Sequence, residues 1–294
     1  MFPGIRERLN SAIRWPSDKP LSQPQFFLGV GVPKAGTSWL HAQLKRHPEV
    51  WVPPLKELHF WDLPRLPNAE FYRLTRNVRL KNAIERGASE EVIGWHRRHA
   101  LGHETIEWYR SLFSPEAGHR AYGEITPNYA SLPYEDLVKI RNTFPDAKVF
   151  CVLRDPVDRV VSNIRFKIGR GKHQLRTALR DPGHFAEAAQ LDGGLELSRY
   201  EVLLPKLDSV FGENLLVIFY EDLFSEDGQT VLDSLHTFLG VTPVQANLSK
   251  KANASEPVDM PFDPYTVIGD ELLPAYAATR AFMGKLPKAW ATHA

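Results

Sequence analysis

The stretch from Phe26 to His41, FFLGVGVPKAGTSWLH, constrains the fold of this chain more than any other segment. Its apolar run breaks at Pro33, and apolar residues return at helical spacing after Gly36, as Trp39 and Leu44 show. A continuous apolar run followed by a helical period predicts a buried strand, a tight loop and a helix. The segment therefore predicts an α/β fold.

The loop inside this segment has the chemistry of an anion site. We expect Thr37 or Ser38 to cap the helix, whose first N–H groups carry the positive end of the helix dipole. Lys34 adds a formal charge beside them, and phosphate groups bind at such helix starts. A Walker A loop has its Lys after the second Gly, whereas Lys34 precedes Gly36. The spacing favours a phosphate site of another kind over an ordinary strand-to-helix turn.

Length and composition limit the alternatives. The 294 residues are 43% apolar, enough for one large α/β domain, and we predict an N-terminal arm over 1–24 and a single domain over 25–294. A net charge of +1 creates no global field for nucleic acid or membranes. The first residues are charged throughout, without an apolar signal-like core, and no run approaches the length of a spanning helix. These features favour a soluble cytoplasmic protein.

Metal-binding residue types occur without a known ligand spacing. Cys151 is the one cysteine, which excludes an internal disulfide and a Cys-based zinc site. His96, His99 and His103 fall at i, i+3 and i+7 of a possible helix. No carboxylate or Cys completes a known zinc spacing, and the two arginines between the first two histidines would repel a cation. We predict a polar helix face and no metal.

A second group of polar residues follows the segment VWVPP. Val50–Val52 predicts a short strand, and the prolines then force a turn. Lys56, Glu57 and His59 emerge after that turn among aromatic residues. A carboxylate packed among aromatics can have a raised pKa and act as a general base. The alternative is a surface loop with aromatic anchors.

A third group lies at the end of another buried strand. The apolar run Lys148–Leu153 ends at Arg154, and Pro156 begins the next helix at a position that tolerates proline. Ser162 lies eight residues after Arg154, and both side chains can bind one phosphate. Ligands of open α/β sheets bind at the carboxyl ends of strands. The sequence thus predicts a second phosphate site beside the first.

These three groups resemble motifs of one enzyme family. PKAGTSWL is similar to the 5′-phosphosulfate loop, and LRDPVDRVVSNIRF to the 3′-phosphate motif, of sulfotransferases that use 3′-phosphoadenosine 5′-phosphosulfate (PAPS). KELHFWD resembles the KE-x-HFF segment of the glycosaminoglycan type. The chain thus resembles a bacterial PAPS-dependent sulfotransferase of the glycosaminoglycan or heparan sulfate type. The resemblance implies a P-loop-like, three-layer α/β fold with a central, mainly parallel β-sheet flanked by helices.

The resemblance also implies roles for individual residues. Glu57 would take the proton of the acceptor hydroxyl, Lys34 would stabilise the leaving phosphate, and His59 would share the catalytic role. Basic residues in the loop after the last major helix would cover the nucleotide. The implied co-substrate contacts are Lys34, Ala35, Gly36, Thr37, Ser38, Trp39, Arg154, Ser162, Lys250 and Lys251.

The segment AYGEITPNY resembles the GE-x-TP-x-Y element of the same family. Ile125 stands where the glycosaminoglycan enzymes often have a Lys, which argues against a heparan-type acceptor. Glu124 and Thr126 are expected at the rim of the active site. With Lys56 and Ser198 they complete the expected substrate contacts.

The function implied is transfer of a sulfuryl group from PAPS to a hydroxyl of a carbohydrate or other small acceptor, without metal, nucleic acid or a membrane span. One alternative is a P-loop kinase or NTPase, for which Glu221 and Asp222 would serve as a Walker B pair. We expect them instead to cap the helix predicted over Ser225–Leu239. The other alternative is a non-catalytic nucleotide-binding module of the same fold.

Overall fold

A parallel β-sheet forms the centre of the molecule in the computed structural model, which describes residues 23–246 and 260–290. Its strands follow the order β2-β3-β1-β4-β5, and every neighbouring pair is parallel. The predicted α/β fold with a central parallel sheet is confirmed. The strands are β1 (Gln25–Gly31), β2 (Val50–Trp51), β3 (Ala121–Ile125), β4 (Lys148–Leu153) and β5 (Leu215–Phe219).

Helices connect and flank the strands. None of those in residues 23–246 and 260–290 is long and apolar enough to cross a membrane. They are α1 (Thr37–Arg46), α2 (Ala69–Glu85), α3 (Glu90–Leu101), α4 (Ile106–Ser111), α5 (Tyr134–Thr143), α6 (Pro156–Gly169), α7 (Pro182–Gln190), α8 (Tyr200–Phe211), α9 (Tyr220–Leu223), α10 (Gly228–Phe238) and α11 (Tyr265–Met283).

The first predicted strand, β1, is the middle strand of the sheet. Phe27, Leu28 and Val30 have no exposed surface, as expected for a parallel strand covered on both faces. A Cβ at Gly29 would lie 2.7 Å from the ring of Phe150 on β4. Glycine there lets the neighbouring strand place an aromatic ring over β1.

The position of β1 brings the two predicted phosphate sites together. Chain connections lead from β1 to β2 and β3 on one side, and later to β4 and β5 on the other. Such a reversal of strand order opens a crevice at the carboxyl ends of the strands. The loop after β1 and the turn after β4 meet at that crevice.

Candidate active site

The loop between β1 and α1 is shaped by two left-handed residues. Lys34 has φ 74° and Gly36 has φ 77°. Gly36 is the N-cap of α1 without any side-chain hydrogen bond, so the expected cap by Thr37 or Ser38 is wrong. A Cβ at Gly36 would lie 3.0 Å from ring atoms of Tyr220. The loop therefore packs closely against α9, the helix that follows β5. The first backbone N–H groups of α1 remain available to bind a ligand.

Lys34 lies among other cations. Its carbonyl accepts a hydrogen bond of 3.1 Å from Nη1 of Arg154. Burial and then the charges of Arg154, Lys56 and Arg170 lower the pKa of Lys34 to about 8, and Glu57 acts in the opposite direction. Cations held together against their repulsion gain stability from a bound anion. The loop and the end of β4 thus form one electropositive site.

An aromatic ring completes the Lys34 environment. The Nζ atom of Lys34 lies 3.8 Å from the ring centre of Phe166, which is 42% exposed. Ser162 lies one turn earlier on α6, half-buried, and residues four apart share a helix face. The predicted phosphate ligand Ser162 therefore lies on the same face of α6 as Phe166. Sequence reasoning missed Phe166, although its spacing from Ser162 was a usable signal.

Arg154 is held in place by two tyrosines. Its guanidinium lies 4.8 Å from the ring centre of Tyr220, and the Tyr200 hydroxyl donates to its carbonyl over 2.7 Å. Tyr200 has no exposed surface, so it is a core residue that orients the strand end. The Nε atom of Arg154 is buried without a hydrogen-bond partner among the described residues. The planar guanidinium is thus positioned by its neighbours but incompletely paired, which leaves a donor for an anion.

The segment carrying Glu57 has an unusual backbone. Glu57 has φ 66° and His59 has φ 52°, values that cost energy for residues with a Cβ and persist where neighbours enforce them. Between them, the Leu58 N–H donates to Oε2 of Glu124 over 3.0 Å. Two residues further on, the Phe60 N–H donates to the Tyr129 hydroxyl over 3.1 Å. Buried polar groups therefore fix the direction in which Glu57 and His59 point.

Glu124 is the main anchor beneath this segment. It is 1% exposed and also accepts hydrogen bonds from the hydroxyls of Tyr109 and Tyr129, both at 2.8 Å, and of Thr126 at 2.6 Å. Sequence reasoning placed Glu124 and Thr126 on the substrate rim. Their burial and internal hydrogen bonds correct this, because they lie below the rim and support the Leu58 amide.

Ser198 is likewise enclosed. It has no exposed surface; its hydroxyl accepts from Nε of Arg159 at 2.6 Å and donates to the Pro156 carbonyl at 2.8 Å. Both hydrogen-bonding roles of the hydroxyl are used inside the protein. The expected substrate contact through Ser198 is replaced by a link between α6 and the segment before α8.

A chain of polar side chains leads to the Glu57 carboxylate. The Lys56 ammonium pairs with Oε1 of Glu57, and Nε2 of His59 lies 3.7 Å from Oε2. Nδ1 of His59 lies 2.9 Å from Oδ2 of Asp62, which accepts from Nδ2 of Asn128 at 2.7 Å. Asp62 and Asn128 therefore orient the imidazole, and the imidazole orients Glu57. Sequence reasoning missed Asp62, although it follows His59 by three residues.

The charge states of Glu57 and His59 differ from the sequence-based expectation. Burial raises the pKa of Glu57, but hydrogen bonding to His59 and the charge of Lys56 outweigh it and bring the value to about 2. Burial lowers the pKa of His59, but Asp62 and Glu57 raise it to about 9. The predicted raised pKa of Glu57 is wrong because two cations flank the carboxylate. At neutral pH the pair consists of a carboxylate and an imidazolium.

The remaining predicted co-substrate residues occupy different positions. Ala35 and Trp39 are buried, and Trp39 packs edge-on against Phe224 with ring centres 5.3 Å apart. Their side chains therefore support the loop from inside. Lys250 and Lys251 lie outside the described residues.

The histidines considered for a metal site do not share one helix face. His99 is 1% exposed and stacks between Trp95 and Trp108, with ring centres 5.0 Å and 5.9 Å away. His103 lies beyond the end of α3. Within residues 23–246 and 260–290, no three His, Cys, Asp or Glu side chains are grouped so that they could hold a metal ion.

Comparison with known proteins identifies the family. The model of the sulfotransferase family matches residues 25–245, more than half of the chain. The chain belongs to the sulfotransferase family. The match includes the loop after β1, the Glu57 segment and the turn after β4.

Two solved structures and two curated proteins illustrate how this sulfotransferase relates to others. A sulfotransferase from Alicyclobacillus acidocaldarius has a TM-score of 0.63 and 23% identity, with coverage of 92% of this chain and 100% of that one. The sulfotransferase domain of the Synechococcus PCC 7002 olefin synthase has a TM-score of 0.53 and 20% identity, with coverage of 92% and 98%. Both likenesses show a shared fold.

The curated relatives are much longer proteins. The membrane-associated sulfotransferase kil1 of Dictyostelium discoideum is 28% identical over 51% of this chain and 24% of its own length. Carbohydrate sulfotransferase 15 of Rattus norvegicus is 27% identical over 48% of this chain and 26% of its own length. The chain thus spans about a quarter of the length of these relatives.

Proposed function

We propose that this member of the family transfers a sulfuryl group from PAPS to a hydroxyl of a carbohydrate or another small acceptor. The observation that carries the proposal is the position of Lys34. It lies in an electropositive site with Arg154 and Lys56, and within the electrostatic reach of the Glu57 carboxylate. A binding site for an anionic sulfuryl donor thus lies next to Glu57, a carboxylate that can accept a proton.

The donor fits this site by its charge. The 5′-phosphosulfate would lie on the loop, against Lys34 and the first amides of α1. The 3′-phosphate would bind the Arg154 guanidinium, a planar set of donors suited to phosphate oxygens, with the Ser162 hydroxyl as a further donor. The incompletely paired Nε of Arg154 and the mutual repulsion at Lys34 both favour an anion with two separated phosphate groups.

In this reaction Glu57 accepts the proton of the acceptor hydroxyl while the acceptor oxygen bonds to sulfur. The bond between sulfur and the bridging phosphate oxygen breaks, and its electron pair stays on the phosphate. Lys34 stabilises that charge, as cations do in phosphoryl transfer. The negative donor also offsets the field of Lys34 and Lys56 on Glu57, which raises the basicity of the carboxylate when the donor is bound. His59 and Asp62 hold Glu57 in position.

Two observations bear on the acceptor class. One relative is a carbohydrate sulfotransferase by name, and Ile125 takes the place where a Lys is expected for a heparan-type acceptor. The side chain of Ile125 has no exposed surface. Because no Lys stands at this position to bind an acidic, heparan-type acceptor, a hydroxyl acceptor without that acidic character agrees best with Ile125.

The test is a transfer assay with PAPS and a panel of neutral saccharides, acidic saccharides and simple alcohols. Mass spectrometry of sulfated products and chromatography of 3′-phosphoadenosine 5′-phosphate (PAP) follow the reaction. We expect metal-independent sulfation of at least one hydroxyl acceptor, and its loss in Glu57→Gln. Magnesium-dependent consumption of ATP with no use of PAPS would overturn the proposal in favour of a kinase.

A further inference from the structure

A buried carboxylate lies directly behind Arg154. Glu221 follows Tyr220 at the end of β5, and its Oε1 accepts the backbone N–H of Asp155 at 3.0 Å. Its Oε2 is buried without a hydrogen-bond partner among the described residues. The expectation that Glu221 caps the next helix is wrong, because α10 begins only at Gly228 and Glu221 faces the turn after β4.

Its neighbour Asp155 is already fully paired. Oδ1 of Asp155 accepts the N–H groups of Val157 and Asp158, both at 3.0 Å, and Oδ2 accepts the Tyr276 hydroxyl at 2.9 Å. These bonds cap α6 and favour the ionised form, although burial raises the pKa of Asp155 above its usual value. Two acidic groups thus share one end of the sheet, and of these two, in the described part of the chain, Glu221 is the one with an oxygen that lacks a hydrogen-bond partner.

The groups facing Glu221 come from several elements. Arg154 and Asp155 lie on the turn after β4, Tyr200 on α8, and Tyr265 on α11. Trp290 adds an indole from the segment after α11. The charge of Arg154 acts on this carboxylate and favours its ionised form. Burial raises the pKa of Glu221 to about 7, against backbone hydrogen bonds, the Trp290 indole and the charge of Arg154, all of which lower it.

We propose that Glu221 takes up a proton when a phosphorylated nucleotide binds at Arg154, and that this carboxyl group thereby sets nucleotide affinity near neutral pH. A bound phosphate brings about −1.5 to −2 charges and offsets the cation that favours ionised Glu221. The solvent proton adds to Oε2, so a carboxylate, a proton and a nucleotide give a neutral carboxyl group in the complex. The inference rests on the proposed function in that Arg154 contacts a nucleotide phosphate.

Other titrating groups contribute little near neutrality. The pKa of Lys34 is about 8, so this ammonium is already mostly protonated near pH 7. The second ionisation of a phosphate monoester has a pKa of about 6, so the ligand is mostly a dianion. Glu221 is half-protonated at that pH, and nucleotide binding can add at most about half a proton to it.

Calorimetry of PAP binding in buffers with different ionisation enthalpies measures this proton. At pH 7 we expect a measurable proton uptake by the wild type, of at most about half a proton, and close to none by Glu221→Gln. The amide keeps an oxygen for the Asp155 N–H, so this variant preserves the local fold.

Above pH 7 the wild-type affinity for PAP falls by up to about tenfold per pH unit, whereas the affinity of Glu221→Gln changes less. Asp222→Asn is the matched control, because Asp222 is half-exposed and lies near Lys285; it should behave as the wild type.

Infrared difference spectroscopy on the wild type gives a second measurement that needs no variant. Nucleotide addition at pH 7 should increase the C=O band of a protonated carboxyl group. PAP binding with no proton uptake and no such band overturns the role of Glu221 and leaves the proposed function intact. Absence of PAP binding at every pH overturns both.

Discussion

Nε2 of His59 lies 3.7 Å from Oε2 of Glu57, and the far side of the same imidazole contacts Asp62. The carboxylate is therefore oriented by a cation that is itself oriented by a second carboxylate. Lys56 holds the other oxygen of Glu57. A pair of this kind keeps the proposed base, Glu57, ionised and in one orientation before an acceptor binds.

Replacement of Glu57 by Gln tests the base. The amide keeps the size of the side chain but cannot accept the acceptor proton, so we expect kcat to fall by about a hundredfold or more. The affinity for PAP should change by less than about threefold, since in the proposed complex Glu57 faces the acceptor and not the nucleotide phosphates. Steady-state kinetics and calorimetry measure the two effects. Equal turnover by Glu57→Gln and the wild type would remove Glu57 as the base.

Replacement of Lys34 by Ala tests leaving-group stabilisation. Loss of the ammonium should lower kcat by about a hundredfold or more, because charge develops on the phosphate oxygen in the transition state. Phe166→Leu is the matched control, since it removes the ring beside Nζ and keeps the cation. A Lys34→Ala enzyme with wild-type kcat and only a raised KM would assign Lys34 to binding alone.

Asp62→Asn tests whether Asp62 keeps the His59 imidazole protonated. The pKa of His59 lies at about 9 against the usual 6.5, so its interactions stabilise the fold fully below the unfolded-state pKa and this contribution is lost as pH rises through about 9. Below pH 6.5 the variant should therefore have a lower free energy of unfolding than the wild type. This difference in unfolding free energy should shrink as the pH rises through about 9. Urea unfolding across this pH range measures the difference. A difference that stays constant with pH would show that Asp62 does not hold the proton on His59.

Glu124→Gln tests the support beneath the Glu57 segment. The carboxylate accepts hydrogen bonds from Leu58, Tyr109, Thr126 and Tyr129, and an amide offers only one oxygen to these donors. We expect a loss of about 1–3 kcal/mol in unfolding free energy and a lower kcat, with PAP affinity retained. Thermal unfolding, kinetics and calorimetry separate these effects. Wild-type turnover in a destabilised variant would limit Glu124 to fold stability.

The parts predicted from sequence are those that depend on local pattern. The apolar run of β1 and the helical spacing after Gly36 define strand, loop and helix, and Arg154 follows the buried strand β4 as expected. Because the strands are parallel, their carboxyl ends lie at the same edge of the sheet, and no long-range contact has to be known to predict this. This explains why Lys34 and Arg154 could be placed together from the sequence.

The residues that sequence reasoning misplaced depend on long-range contacts. Glu124 and Ser198 look like surface polar residues in their own segments, but Tyr109 and Arg159 come from distant segments and enclose them. The pKa of Glu57 depends in the same way on His59, whose orientation follows from Asp62. Helix α7 lacks a strong apolar period because Ala188 and Ala189 form much of its buried face.

Calorimetry with PAP, compared with ATP plus magnesium, tests the central claim that the loop after β1 and the turn after β4 form one site for a 3′,5′-bisphosphorylated nucleotide. We expect tight PAP binding without metal, weak or no binding of ATP with magnesium, and a loss of at least about tenfold in PAP affinity in Arg154→Ala. Tight magnesium-dependent ATP binding, or PAP binding unaffected by Arg154→Ala, would contradict it.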